Sequence, residues 1–320
     1  MATKLEDGLV DGLAPFRLKP WFSERVWGKR DLRPWYESTG TQELVGEAWL
    51  TGPASLVETG AMAGQTLAAV AADAREALLG AGGGAEFPLL VKLLFPNDKL
   101  SVQVHPDDAQ AQAMGQPRGK TECWYVLEAE PGATIALGLR EGATADAVRS
   151  AIADGTMEEW MQWVPVAVGD MVFVDAGTVH AIGPGVVLLE TQQTCDVTFR
   201  MYDYGRPREL HVEQALRVMK MHTAAGKVAP VAMDGFVRLI AQKYFVVDRY
   251  DVGAGREVLI PIEGAGCLVG LDGSAMVKAA GSTPVELLRG QAVVVPAGVG
   301  SVVMESDGGA SFVRCFAPVS

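Results

Sequence analysis

A mainly β protein, built as two small antiparallel β-barrels with a small helical portion, is the fold class that three features of the chain predict. Short apolar runs of strand type recur at 89–95, 101–104, 122–127, 171–174, 186–189 and 197–201. Beyond Lys227 the chain is nearly all short strands separated by glycine, and the 37 glycines and 17 prolines of the whole sequence suit many turns. The third feature is an internal repeat. Residues 169–180, from Gly169 through Ala176-Gly177 to His180, return as 290–301, from Gly290 through Ala297-Gly298 to Ser301. Each copy reads as a glycine turn, a buried strand and an Ala-Gly turn in one register, so two barrels of the same architecture are expected. Only the first ends on a histidine.

Helices are predicted at three places. Alanine and leucine propensity gives one over 67–79, stopped by Gly80; the following Gly82-Gly83-Gly84 ends a helix instead of opening one, so it is a connection and not a phosphate cradle. Thr144 is the N-cap of a second over 143–163, interrupted at Asp154-Gly155 and resumed through Met157, Trp160 and Met161. A third covers 211–221, and Asp107-Asp108 caps a short segment at 109–114. The expected division is a catalytic domain at 1–228, carrying the three longer helices, and a metal-free β domain at 229–320.

At 320 residues the chain can bury a large core, and 49% of its residues are hydrophobic. Its formal net charge of -12 argues against a nucleic-acid surface, so any anionic substrate must meet a local basic cluster. The four cysteines, Cys123, Cys195, Cys267 and Cys315, form no CxxC pair, which points away from a structural zinc or a disulfide framework and towards a reducing cytoplasm. From Met1 to Pro20 charged and apolar residues alternate, and no run anywhere approaches a membrane span, so neither an export signal nor a membrane partner is expected.

Two of the four histidines stand where a metal would want them. Gln103 and His105 lie two residues apart in the alternating run Leu100, Val102, Val104, so on a strand both point to one face. Glu122 heads the next strand run, and His180 follows the strand and turn of the repeat. Two imidazoles, a carboxylate and an amide oxygen form an N/O set without thiolate, which accepts zinc, manganese, iron, cobalt or nickel.

The segment 169–180 resembles the second motif of the cupins, and the chain as a whole resembles the short bacterial type I mannose-6-phosphate isomerases. That resemblance rests on Glu24-Arg25-Val26-Trp27-Gly28, Gly46-Glu47-Ala48-Trp49, the segment from Leu100 through His105 to Asp108, and Gly119-Lys120-Thr121-Glu122. It continues through Ala176 to Gly183, Leu189 to Gln193 and Phe199 to Arg206, spanning roughly the first 225 residues. It implies two cupin-type jelly rolls, a zinc ion held by Gln103, His105, Glu122 and His180, and a sugar phosphate interconverted between aldose and ketose. Functional roles fall by the same resemblance on Lys120, Glu190, Asp196 and Arg200. The chain departs from the longer fungal and enteric forms in having Gly119 before the lysine, and in lacking their helical insertion.

The residues suit that chemistry independently. Moving a proton between adjacent carbons through an enediolate puts negative charge on two neighbouring oxygens, which a divalent metal and nearby cations can meet. Glu190 ends a buried apolar run and Lys120 shares the face of Glu122, so these two are read as the acid/base pair, with Asp196 a competitor. Arg200 is read as the stabiliser of enediolate or phosphate, and Ser101, Lys92 and Arg206 as further substrate contacts. The bland alternatives make Glu190 a buried ion-pair partner of Arg200, and Lys92 and Arg206 surface charges. Two other functions fit less well: a cupin dioxygenase, for which Gln103 is an awkward fourth ligand, and a sugar-binding bicupin, which needs no proton shuttle. The sequence leaves the state open between monomer and homodimer.

Overall fold

The computed structural model describes residues 12–318. Residues 1–11, the first part of the segment read as lacking an export signal, lie outside them. A seven-stranded antiparallel sheet stands at the centre, in the order Gly226–Val228, Met171–Val174, Glu122–Ala129, Val186–Gln193, Leu89–Leu94, Val45–Trp49 and Trp21–Lys29. Leu89–Leu94 is buried at every residue, because both faces of this sheet are covered. On one face Trp124, Val126 and Leu188 meet Ile135, Leu137 and Ile182 of a five-stranded sheet. On the other, Val91, Cys123 and Leu189 meet Val269, Val313 and Cys315 of a ten-stranded sheet.

The five-stranded sheet runs Phe199–Tyr202, Val102–Val104, His180–Ile182, Thr134–Leu139 and Met161–Pro165. Its outer face, through Val102, Val104 and Met201, packs on Val148 and Ala151 of the helix Ala145–Asp154 and on Ala215 and Val218 of the helix Val212–Val218. The ten-stranded sheet gathers the described strands from Val231 onward together with Phe16–Leu18, which pairs with Ala292–Val295. Its own second core is apolar, with Leu268, Val293, Val302, Met304 and Phe312 at most 1% exposed.

The architecture is mainly β and antiparallel, with jelly-roll-like facing sheets, but the sheets do not close into barrels. They pack as sandwiches whose edge strands stay unpaired. Side chains as large as Trp27 and Trp124 fill the space between the seven- and five-stranded sheets. The gap left between the edge strands Trp21–Lys29 and Phe199–Tyr202 becomes the mouth of the cavity described below.

The helices also need adjustment. The predicted helix over 67–79 is two, Leu67–Asp73 and Arg75–Leu79, joined at Ala74 and ended at Gly80. Thr144 caps its helix through the amide of Ala147, but that helix stops at Gly155 in the left-handed conformation. A single 3-10 turn follows, and residues 161–163, expected as helix, belong to the strand Met161–Pro165, where Trp163 and Val164 pair with Ala136 and Ile135. The third helix is shorter than 211–221, at Val212–Val218. Asp107 caps the helix Asp108–Ala113 in a reciprocal box with Gln110.

The two repeat copies share their first turn and their strands but differ in the connection, where Gly177 takes a φ of 91° and Ala297–Val299 forms a 3-10 turn. Gly169 and Gly290 turn with φ of 91° and 75°, strands Met171–Val174 and Ala292–Val295 follow, and His180 and Ser301 each open the next strand. Among the described residues no helix is long and apolar enough to cross a membrane.

Candidate metal centre and active site

Strand alternation builds the site from the two facing sheets. In the five-stranded sheet Arg200, Gln103 and His180 stand side by side across three strands, since Arg200 pairs with Gln103 and Gln103 with His180. Val102 and Val104 point the other way, into the helix layer, which leaves Ser101, Gln103 and His105 for the inner face. In the seven-stranded sheet Trp49, Lys92, Glu190 and Trp124 form a second row, one residue from each of four neighbouring strands. Glu122 lies next along the same face as Trp124.

His105, Glu122 and His180 are all buried, and one ligand atom of each lies within 4.8 Å of the others. Both rings are fixed from behind. His105 Nδ1 donates to the Val197 carbonyl at 2.9 Å, and His180 Nδ1 to the Thr178 carbonyl at 2.8 Å. The neutral tautomer this selects leaves each Nε2 a lone pair aimed at Glu122, at 3.6 Å for His105 and 3.4 Å for His180. Burial keeps both rings neutral. It pushes His180 down to about 4 and His105 well below its ordinary value, with the Lys120 ammonium adding to the effect on His105.

Glu122 is 0% exposed and its Oε1 has no hydrogen-bond partner. A buried carboxylate oxygen left unpaired beside two imidazole lone pairs is costly without a cation, and that donor set fits a divalent metal. Gln103 is at the site too, with its amide nitrogen 3.3 Å from His180 Nε2 and its oxygen 3.4 Å from Ser101 Oγ. Turning the amide over exchanges the two atoms and offers the oxygen as a ligand.

Lys120 and Glu190 flank this centre. Lys120 Nζ donates to Glu122 Oε2 at 2.7 Å and to His105 Nε2 at 3.0 Å. Burial opposes its charge, but the carboxylates of Glu122 and Glu190 outweigh that and hold the ammonium above its usual range. Glu190 accepts from Trp124 Nε1 at 3.0 Å and lies 3.5 Å from Lys92 Nζ. Burial raises its pKa, the Glu122 charge adds to the rise, and Lys120 and Lys92 pull against it.

Beside these groups a cavity of about 460 Å³ opens between the two sheets. Arg25, Lys92, Lys120, Arg200 and Arg208 line it against the carboxylates Glu24, Glu47, Glu190 and Asp196. Within a chain of net charge -12, this is a local cationic surplus. Ser101 and Gln103 also line it. Arg200 is the cation there without a carboxylate partner: its terminal nitrogen donates to the Glu209 carbonyl at 2.8 Å and its Nε is buried without a partner. Asp196 is largely exposed and lies 3.7 Å from Lys92.

Arg206, expected as a substrate contact, is absent from the lining. Its guanidinium bonds the Lys99 and Asp203 carbonyls and lies over the Tyr204 ring, beside a turn where Tyr204 takes a φ of 55°. Arg208 takes the place at the wall, held by Asp203 at 2.6 and 2.7 Å. Glu190 does not pair with Arg200; its nearest cation is Lys92. Sequence reasoning passed over Arg25 and Glu47, which form a two-bonded pair at 3.0 and 3.3 Å, with Trp49 Nε1 donating to Glu47 at 2.8 Å. Both lie in motifs that carried the resemblance, and that was the available signal.

The arrangement can bind an anionic ligand, hold a divalent cation and exchange a proton through a buried carboxylate. The catalytic domain of type I phosphomannose isomerase matches residues 15–144. A mannose-6-phosphate isomerase of Streptococcus mutans is 37% identical over 251 residues, covering 74% of this chain and 79% of that protein. A probable mannose-6-phosphate isomerase of Bacillus subtilis is 35% identical over 255 residues, 74% of this chain and 80% of its own length. The crystal structure of mannose 6-phosphate isomerase from Bacillus subtilis superposes with a TM-score of 0.84 at 29% identity, across 95% of this chain and 99% of that one. Since the family match takes in the segments that carry Gln103, His105 and Glu122, and a relative is 37% identical across 74% of this chain, the chain belongs to the type I phosphomannose isomerase family.

Proposed function

We propose that this chain interconverts mannose 6-phosphate and fructose 6-phosphate, with zinc as its native ion held by Gln103, His105, Glu122 and His180. The observation that carries the reading is the unpartnered Glu122 oxygen, set between two imidazoles whose outer nitrogens are already bonded to carbonyls. When bound there, a divalent ion supplies Lewis acidity for the oxygens on which enediolate charge develops.

The chain's own groups do the rest. Glu190 faces the cavity with a raised pKa, so it takes the proton from the sugar's second carbon and returns it to the first. Lys120, an ammonium at rest, gives a proton to the first oxygen as the enediol forms and regains one from the second oxygen as the ketose carbonyl forms, completing the acid/base pair. Lys92, 3.5 Å from Glu190, orients that carboxylate and limits the rise in its pKa. Arg200, with a free Nε, meets the anionic end of the substrate, and Ser101 lies beside it on the cavity wall. Asp196, largely exposed, meets Lys92 from the solvent side.

The same reading takes residues 1–228 as the catalytic unit, 229–320 as the metal-free one, and the cytoplasm as the working compartment. Zinc-loaded protein is expected to convert mannose 6-phosphate and to act far more weakly on unphosphorylated mannose. Metal-bound protein without activity on mannose 6-phosphate would overturn it.

A further inference from the structure

The segments that carry the site meet at one carboxylate. Asp108 lies three residues after His105 and opens the helix Asp108–Ala113. Its Oδ1 accepts from the Gly119 amide at 2.9 Å and from Gln193 Nε2 at 3.0 Å. Gln193 in turn accepts from the Thr121 amide at 2.9 Å and gives its own amide to the Thr121 carbonyl at 3.2 Å. Lys120, between these two anchored residues, donates its amide to the Pro106 carbonyl at 3.0 Å. The backbones approach so closely that a Cβ on Gly119 would stand 2.5 Å from the Asp107 carbonyl carbon. Asp108 therefore ties together the His105 segment, the Lys120-Glu122 segment and the end of the strand that bears Glu190.

The second oxygen of Asp108 is taken from the other half of the chain. Tyr244, in the turn between Val237–Ala241 and Val246–Val252 of the ten-stranded sheet, donates its hydroxyl to Asp108 Oδ2 at 2.6 Å. Lys243 adds a looser contact at 3.8 Å, mostly in solvent. We infer that Tyr244 is a positioning residue which, through Asp108, fixes the loop of Lys120 and Glu122 against the His105 segment, so that the carboxy-terminal half sets how tightly the metal is held. The inference rests on the metal centre proposed above. A hydrogen bond to a charged acceptor is among the stronger neutral-donor contacts, and partners that orient metal ligands typically change metal affinity by about 10- to 100-fold.

The test is release of zinc from the loaded full-length protein to a chromophoric chelator, well below the unfolding temperature. Tyr244→Phe, which removes only the hydroxyl, is expected to release zinc about three- to tenfold faster and to lower kcat more than it changes KM; Asp108→Ala is expected at about 10- to 100-fold. The double variant should be no faster than Asp108→Ala alone, because Tyr244 acts through it. Arg238→Ala serves as the control: it breaks the pair with Asp248 in the same sheet, at 2.8 Å, and should lower thermal stability while leaving zinc release unchanged. Wild-type release from Tyr244→Phe, or additive effects in the double variant, would overturn the inference while the metal centre stands. If wild-type protein retains no zinc, or His105→Ala retains it as well as wild type, the metal-centre reading falls and takes the inference with it.

Discussion

The two copies of the repeat share a glycine turn, a strand and a following strand, yet they enclose opposite interiors. Around His180 the space between the sheets holds Gln103, His105, Glu122, Lys92, Lys120 and Glu190, four of them charged groups of which none is more than 5% exposed. Behind the second copy the sheet covers Leu268, Val293, Val302, Met304 and Phe312, and Ser301 faces solvent. The second interior needs nothing beyond close packing. In the first, two lysines and two glutamates offset one another in charge, but Glu122 Oε1 is left without a partner beside two imidazoles, so what separates the two regions is an unsatisfied buried acceptor and not the backbone.

The comparison breaks most sharply at the ligands. His180→Ala is expected to abolish metal retention, seen by elemental analysis, and to cut turnover on the order of 10³ or more. Glu190→Gln should lower turnover by about 10²- to 10⁴-fold with metal content unchanged; near-normal kcat would remove Glu190 from the proton path. In the apolar region Phe312→Ala should cost about 3–5 kcal/mol in urea unfolding and leave the metal bound, as expected of pure packing.

A pH series sharpens the same contrast in metal-free protein. His180 is neutral when folded, with its pKa down at about 4 against 6.5 in the unfolded chain, so the unfolded state binds the proton first as pH drops. The stability tied to this residue is complete above 6.5 and is lost as pH falls towards 4, and His105, also lowered, acts in the same direction. His180→Gln should flatten that part of the curve. Smallest of all is Ser301→His, which restores the repeat's missing histidine at an exposed position. It should recruit no metal and shift stability by no more than about 0.5 kcal/mol.

Much of this was legible because strand alternation is local. The spacing of Gln103 and His105, of Lys120 and Glu122, and the register of the repeat place side chains on a face without knowledge of the partner strand. Pairing across strands is not local. That Trp49 stands beside Lys92, and Lys92 beside Glu190, follows from sheet order, so Glu47 and Arg25 went unassigned although their motifs were in view. Arg206 and Arg208 lie two residues apart, and which one faces the cavity depends on the turn at Tyr204 and on the grip of Asp203. Residues 161–163 have a helical neighbourhood but find an edge at Thr134–Leu139, where tertiary pairing overrides propensity. Barrel closure was not legible for a similar reason, since it depends on which edge strands pair, and alternation along one strand does not show that.

The central sheet is a party wall. Glu122 looks into the polar chamber and Cys123 into the apolar one, then Trp124 and Tyr125 divide in the same way, so neighbouring residues live under different solvents. A deletion of one residue within Glu122–Ala129 would turn the residues on one side of the cut to the wrong face, sending polar groups into hydrocarbon or apolar ones into the polar chamber. Drift in the catalytic chamber is therefore confined to exchanges of side chain, and changes of length must fall in the loops where the wall ends.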